Sequence, residues 1–216
     1  MENKILLEKF MNLVLEENKH LNLTAITDKE EFKEKHFYDS LLPSKVVDFN
    51  NKVVMDLGTG AGFPGIPLAI SFPTSKFYLV EPLTKRCLFL EKVIALLELK
   101  NVEIINARIE DLDKKMLGEM DLITARAVSR LNVILELAVP YLKVGGSLIA
   151  YKGNQYQEEV NEAFNALNLL KAEVKEVQVE KLPISKNDRF NIIIEKKEIT
   201  CEKFPRKFSQ IKKRPL

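Results

Sequence analysis

Asp56 to Pro67 reads DLGTGAGFPGIP, and no other stretch of the chain restricts the fold so strongly. Gly58, Gly60, Gly62 and Gly65 each lose more backbone freedom on folding than any other residue type, so the loop must have a use for bare backbone. Gly60 to Gly65 matches G-x-G-x-x-G, follows the apolar run VVMDL and opens a second apolar run, the strand-turn-helix setting of a nucleotide-binding turn. A phosphate-cradling P-loop is excluded, because no Lys-Ser or Lys-Thr follows the glycines. Pro64 and Pro67 stiffen the turn, since proline fixes φ and is tolerated in a first helical turn where its missing N–H would be unpaired anyway.

The chain around this loop is patterned for repeated βα units. Lys4 to Glu17 and Asp28 to Leu42 carry apolar residues at helical spacing, the second run opening on an N-capping Thr27 or Asp28. From Lys52 onward the pattern predicts strands over 52–57, 76–81, 102–106, 121–125, 147–152, 173–181 and 190–196. Helices are expected over 65–71, 83–97, 131–141 and 155–167, with a short one over 109–117. Only Leu182 to Arg189 separates the last two strands, so they should pair antiparallel. A seven-stranded, mostly parallel α/β sheet ending in such a hairpin fits the Rossmann-like class I S-adenosylmethionine-dependent methyltransferase architecture better than a dinucleotide-binding dehydrogenase. The expected organisation is an N-terminal helical cap over 1–43, the core over 44–197 and a basic tail over 198–216.

With 216 residues and 46% hydrophobic content, the chain can bury one sizeable core, which excludes wholesale disorder. No stretch reaches the roughly 18 to 20 apolar residues of a membrane helix, and MENKILLEKF lacks a signal-peptide core, so a cytoplasmic protein without a membrane partner is expected. Cys87 and Cys201 stand apart with no CxxC and no neighbouring His, which suggests neither a disulfide framework nor a metal site. The net charge of +2 says little, but its distribution is uneven: Lys196, Lys197, Lys203, Arg206, Lys207, Lys212, Lys213 and Arg214 face only Glu198 and Glu202. Such a tail reads either as an arm that tracks a polyanion or as a solvated terminus.

The acids beside the loop narrow the ligand. Asp56 gives D-x-G-x-G, and an acidic residue there suits the cationic end of S-adenosylmethionine. At the end of the second strand Glu81 can accept both hydroxyls of a ribose, and after the third Ile109 offers an apolar platform, with Glu110 or Asp111 as adenine partners or helix caps. A dehydrogenase lacks support, since only His20 and His36 are present and no Tyr has a Lys four residues on. After the fourth strand LITARAVSR holds neither an Asn/Asp-Pro-Pro-aromatic loop nor a nucleophilic Cys, so the methylated atom should already be a nucleophile. Guanine N7 is one, an unprotonated acceptor that needs no general base. Arg126, Arg130, Lys152, Arg108 and Arg86 fall near the carboxyl edge of the sheet, with Arg189 before the last strand, as expected of an RNA-binding mouth. Arg126 and Lys152 are the expected holders of the target nucleotide. The alternatives are a small-molecule methyltransferase and a non-enzymatic RNA-binding assembly factor.

The runs LNLTAITDKEEFKEKHFYDSLLP, VVMDLGTGAGFPGIPLAI and ARAVSRLNVILELAVPYLKVGGSLIAYKG, with the ending FPRK…KKRPL, resemble the RsmG (GidB) family of bacterial 16S ribosomal RNA guanine-N7 methyltransferases. The resemblance spans nearly the whole chain. It implies cofactor contacts at Gly58, Phe63, Ile109, Glu110 and Arg126, with Gly60 in the loop and Glu81 at the ribose position. Many relatives carry Asp-Ser where this chain has Glu81-Pro82. It further implies action on 16S rRNA, a 30S subunit or its precursor; a monomer is expected. Asn22, His36, Asp39 and Ser40 either close the cofactor cleft or stitch the cap to the sheet.

Overall fold

The computed structural model describes residues 2–216. Val53–Leu57 (β1) is apolar on both faces, as a strand covered from two sides must be, and it lies inside a seven-stranded sheet. The other strands are Lys76–Val80 (β2), Val102–Ile105 (β3), Met120–Arg126 (β4), Leu142–Lys152 (β5), Ala172–Lys181 (β6) and Asp188–Lys196 (β7). Their order is β3-β2-β1-β4-β5-β7-β6. The first five run parallel, and β7 lies antiparallel to both β5 and β6. Growth of the sheet reverses between β1 and β4, and the crevice at the carboxyl ends of those strands is where such sheets bind ligands.

Alternation along β1 divides the molecule into two layers. Val54 faces a layer built on Glu2–Leu21 (α1), Gly65–Ser71 (α4) and Thr84–Leu96 (α5), whose buried side chains include Phe10, Ile66 and Leu90. Met55 and Leu57 face Leu131–Ala138 (α6) and Phe164–Leu170 (α8), with Leu135, Leu167 and Leu170 buried there. Asp56 shares the parity of Val54 and so points beneath α4.

The helix expected over Asp28 to Leu42 is helical throughout but changes pitch. Lys29–Phe32 (α2), capped by the Asp28 carboxylate, runs into a π-helical turn, Lys33–Tyr38, and then Asp39–Leu41 (α3). This cap is tied down from a distance. The Glu34 carboxylate accepts from the backbone amides of Ile184 and Ser185 in the turn between β6 and β7, and the Tyr151 hydroxyl donates to the Ser40 carbonyl at 2.7 Å.

Elsewhere the elements depart from the sequence reading for local reasons. The short helix expected over 109–117 is two 3-10 turns, Ile109–Asp111 and Lys114–Met116. α6 ends at Ala138 because Pro140 has no amide hydrogen to continue the ladder. The helix expected over 155–167 breaks at Ala163 into Tyr156–Glu162 (α7) and α8. The largest difference is the tail. It folds back as Phe208–Lys213 (α9), with Phe204 and Ile211 buried against α6 and Arg206 bound to the fully buried Glu136. Its cations Lys203, Lys207, Lys212, Lys213 and Arg214 stay on the surface. No helix among the described residues is long and apolar enough to cross a membrane.

Candidate functional site

β1 delivers the chain to Gly58, which turns it with φ +67, a conformation that L side chains rarely adopt. A Cβ at that position would sit 3.1 Å from Val128 Cγ2, so the loop and the β4–α6 connection approach as closely as bare backbone permits. Across the crevice the buried Glu81 ends β2. Its Oε2 accepts from the Gly60 amide and its Oε1 from the Leu83 amide, both at 3.0 Å, with Arg86 Nη1 at 3.8 Å. Two backbone donors therefore fix the carboxylate while leaving its other lone pairs for a ligand. Asn106 holds the same corner, its Nδ2 donating to the carbonyls of Glu81 and Pro82 at 3.1 and 3.2 Å. No local pattern in the sequence announces that clamp.

These groups border a cavity of about 450 Å³, with Gly58, Glu81, Ile109, Glu110 and Arg108 on one side and Val128, Val133 and Leu137 on the other. Size does not single it out, since a cleft of about 540 Å³ lies beside Pro140 and Ile199. Position does: it opens at the carboxyl ends of β1 and β2, beside the point where the sheet reverses. Apolar plates, a backbone-fixed carboxylate and a volume within the usual ligand range fit a nucleoside with a ribose diol. Val133, Leu137 and Phe208 in this lining were not singled out from the sequence.

Asp56 does not reach this cavity. Fully buried, it accepts from the Thr124 hydroxyl at 2.8 Å and the Gly65 amide at 3.0 Å, and burial raises its pKa above the ordinary carboxylate value. Its place is under the loop, where it pins the start of α4; an expected partner for a ligand's cationic end becomes an internal strut.

Phe63 and Arg126 also lie away from the cavity lining, on the cap side of the loop. Phe63 stacks on His36, ring centroids 4.4 Å apart and 14° between planes, and the Arg126 guanidinium carbon sits 5.3 Å from the Phe63 ring centre. Arg126 Nη1 donates to Asp39 Oδ2 at 3.1 Å and to the Lys35 carbonyl at 3.3 Å, and Arg189 Nε donates to Asp39 Oδ1 at 3.0 Å. One buried carboxylate thus serves two arginines. Burial, then the Arg126 charge, lowers the His36 pKa to about 3, so the ring is neutral at pH 7. With Nδ1 facing Arg126 Nη2 at 3.4 Å, the proton belongs on Nε2, which donates to the Thr24 hydroxyl at 2.9 Å.

Of the other expected cations, Lys152 is engaged: Nζ donates to Glu159 Oε2 at 2.6 Å and to the Ser129 carbonyl at 2.8 Å. That Glu159 oxygen also accepts from the Leu131 amide, so the pair braces the start of α6. Arg108 and Arg130 are open to solvent, with side chains 67% and 59% exposed, and their ion partners are the cavity's own Glu110 at 3.9 Å and Glu162 at 2.9 Å. Arg86 is one-third exposed beside Glu81. The structure thus gathers Gly58, Glu81, Arg86, Arg108, Ile109 and Glu110 at the cavity, with Gly60 behind Glu81, and Phe63, Arg126 and Arg189 at a separate knot with the cap. No cluster of three or more His, Cys, Asp or Glu suited to a metal ion occurs among the described residues.

Comparison with known proteins gives a consistent picture. A family model described as rRNA small subunit methyltransferase G matches residues 3–188. Ribosomal RNA small subunit methyltransferase G of Streptococcus gordonii is 43% identical over 213 residues, covering 97% of this chain and 90% of the relative. The protein of the same name from Staphylococcus epidermidis is 43% identical over 211 residues, covering 97% and 88%. Among solved structures, M. jannaschii TYW2 in complex with AdoMet superposes with a TM-score of 0.59 at 18% identity, covering 79% of this chain and 76% of that one. A SAM-dependent methyltransferase from Aquifex aeolicus gives 0.59 at 19%, covering 78% and 94%. At those identities the structural matches establish the fold, that of class I S-adenosylmethionine-dependent methyltransferases.

Proposed function

Because the chain belongs to the rRNA small subunit methyltransferase G family, we propose that it methylates N7 of a guanine in a loop of 16S ribosomal RNA with S-adenosylmethionine as donor. It works as a cytoplasmic monomer on the RNA, the 30S subunit or its precursor. The observation that carries this reading is the Glu81 carboxylate, held by the Gly60 and Leu83 amides at the wall of an apolar cavity.

When bound, S-adenosylmethionine supplies an electrophilic methyl group on a sulfonium sulfur. Glu81 would accept the ribose hydroxyls, and Ile109, Val133 and Leu137 would flank the adenine, with Glu110 at its polar edge. Gly58 lets the loop close on Val128 at the cavity wall. The chain supplies no general base because guanine N7 carries no proton to remove. Its remaining task is positioning. Arg108 and Arg130, the exposed cations of this edge, meet phosphates first. Arg126, Arg189 and Lys152 can reach the target nucleotide only by exchanging Asp39 or Glu159 for RNA phosphate, so their charges stay masked until RNA arrives. A splayed, unpaired guanine is the form such an edge can admit.

Deleting the gene and sequencing 16S rRNA for N7-methylguanosine tests the reading. One modified guanine should be lost, restored by the wild-type gene and not by Glu81→Ala. Unchanged modification at every guanine would defeat the substrate assignment.

A further inference from the structure

The C-terminal tail reaches the cavity. Phe208, the first residue of α9, lies in its lining beside Val133 and Leu137 of α6. Those two α6 residues are one helical turn apart and present one face to the cavity, while Glu136 between them turns to the tail. Glu136 is fully buried, and Arg206 saturates it: Nε to Oε1 at 2.7 Å, Nη2 to Oε2 at 2.6 Å, and the Arg206 amide to Oε1 at 3.0 Å. Arg206 Nη2 also donates to the Arg214 carbonyl at 3.1 Å, so one guanidinium holds both ends of α9.

The tail's main anchors lie on either side of Phe208, which adds only partial packing. Phe204 and Ile211 are buried and bind it to the core, whereas Phe208 stays only half-buried, with its free side on the cavity. An aromatic ring left open beside Ile109, Val133 and Leu137 is placed to cover a flat heterocycle, in the way aromatic side chains cover nucleobases elsewhere. Resting on the cofactor reading above, we propose that the tail is a working wall of the cofactor site, with Phe208 packing on the adenine end and the Glu136–Arg206 pair setting its position. Linkage then requires reciprocity: a filled cavity holds the tail closed, and an ordered tail tightens binding.

The test uses the full-length chain and S-adenosylhomocysteine as probe. Calorimetric titration of wild type, Phe208→Ala and Phe208→Leu, each still folded without ligand, should show affinity about tenfold weaker for Ala and largely restored by Leu. Limited tryptic digestion of wild type should cut after Lys207 and Lys212 more slowly when the probe is present. Affinity of Phe208→Ala within twofold of wild type, or tail cleavage indifferent to the probe, overturns the proposal. A wild-type chain that binds no S-adenosylhomocysteine overturns the cofactor reading itself, which separates the two failures.

Discussion

The glycine loop separates two regions that treat polar groups in opposite ways. On the α6 side, Glu81 takes its hydrogen bonds from backbone amides, which carry no net charge, and its ionic neighbour Arg86 stands off at 3.8 Å, so accepting capacity remains to be used. On the cap side, Asp39 is held by Arg126 and Arg189, and each charge is spent on another. A carboxylate fixed by amides is a receptor; a carboxylate fixed by guanidiniums is a fastener. The two arrangements flank one loop of twelve residues and give it an open face and a closed one.

Gly58→Arg attacks the open face and should have the largest effect, because it combines a disfavoured φ with a side chain driven into the cavity. Calorimetry should detect no S-adenosylhomocysteine binding, and retained affinity would show that the cavity is not the ligand's place. Asp39→Ala attacks the closed face, leaving two arginines without their shared partner. Stability should drop by about 3 kcal/mol in urea titration, the low end for a broken buried pair because both guanidiniums keep some water. Affinity for the same ligand should stay within about threefold; a parallel loss of binding would erase the distinction between the regions.

His36 sharpens the comparison through pH. The folded protein keeps the ring neutral down to about pH 3, whereas the unfolded chain takes up a proton near 6.5, so this contribution is whole above pH 6.5 and is lost as pH falls. Between pH 6.5 and 5 it amounts to about 2 kcal/mol. His36→Gln should flatten that part of the stability curve, and an unchanged slope would assign it to other groups. The smallest effects belong to the exposed edge. Arg108→Ala and Arg130→Ala should each lower the slope of log affinity for RNA against log salt by about 0.7 to 0.9, as loss of one phosphate contact does, with folding untouched.

Sequence made the open face legible and, for the closed one, offered His36, Asp39 and Ser40 as stitches of the cap without showing their partners, for reasons of range. The glycine run, Glu81 and Ile109 stand at strand ends, and strand ends follow from local periodicity. Asp39 meets Arg126 and Arg189 across 87 and 150 positions, a meeting decided by the strand order rather than by any neighbouring residue. The place of Asp56 is not legible, because a strand buried on both faces gives no sign of which side a lone acid takes. In the tail the charges dominate the sequence, while Phe204, Phe208 and Ile211, recurring at i, i+4 and i+7, carry the pattern of a packed turn.

Glu34 has a consequence for the order in which the molecule is assembled. Its hydrogen-bond partners, Ile184 and Ser185, lie 150 and 151 positions downstream. At ordinary rates of synthesis the N-terminal helices wait about 8 to 30 s for them. During that interval the cap carries an acid with nothing to bind, and Arg189 has not yet reached Asp39. The last polar ties of the cap close late, so a chain truncated before Ile184 should keep the cap's apolar contacts with Phe63 but lose the hydrogen bonds that fix Glu34.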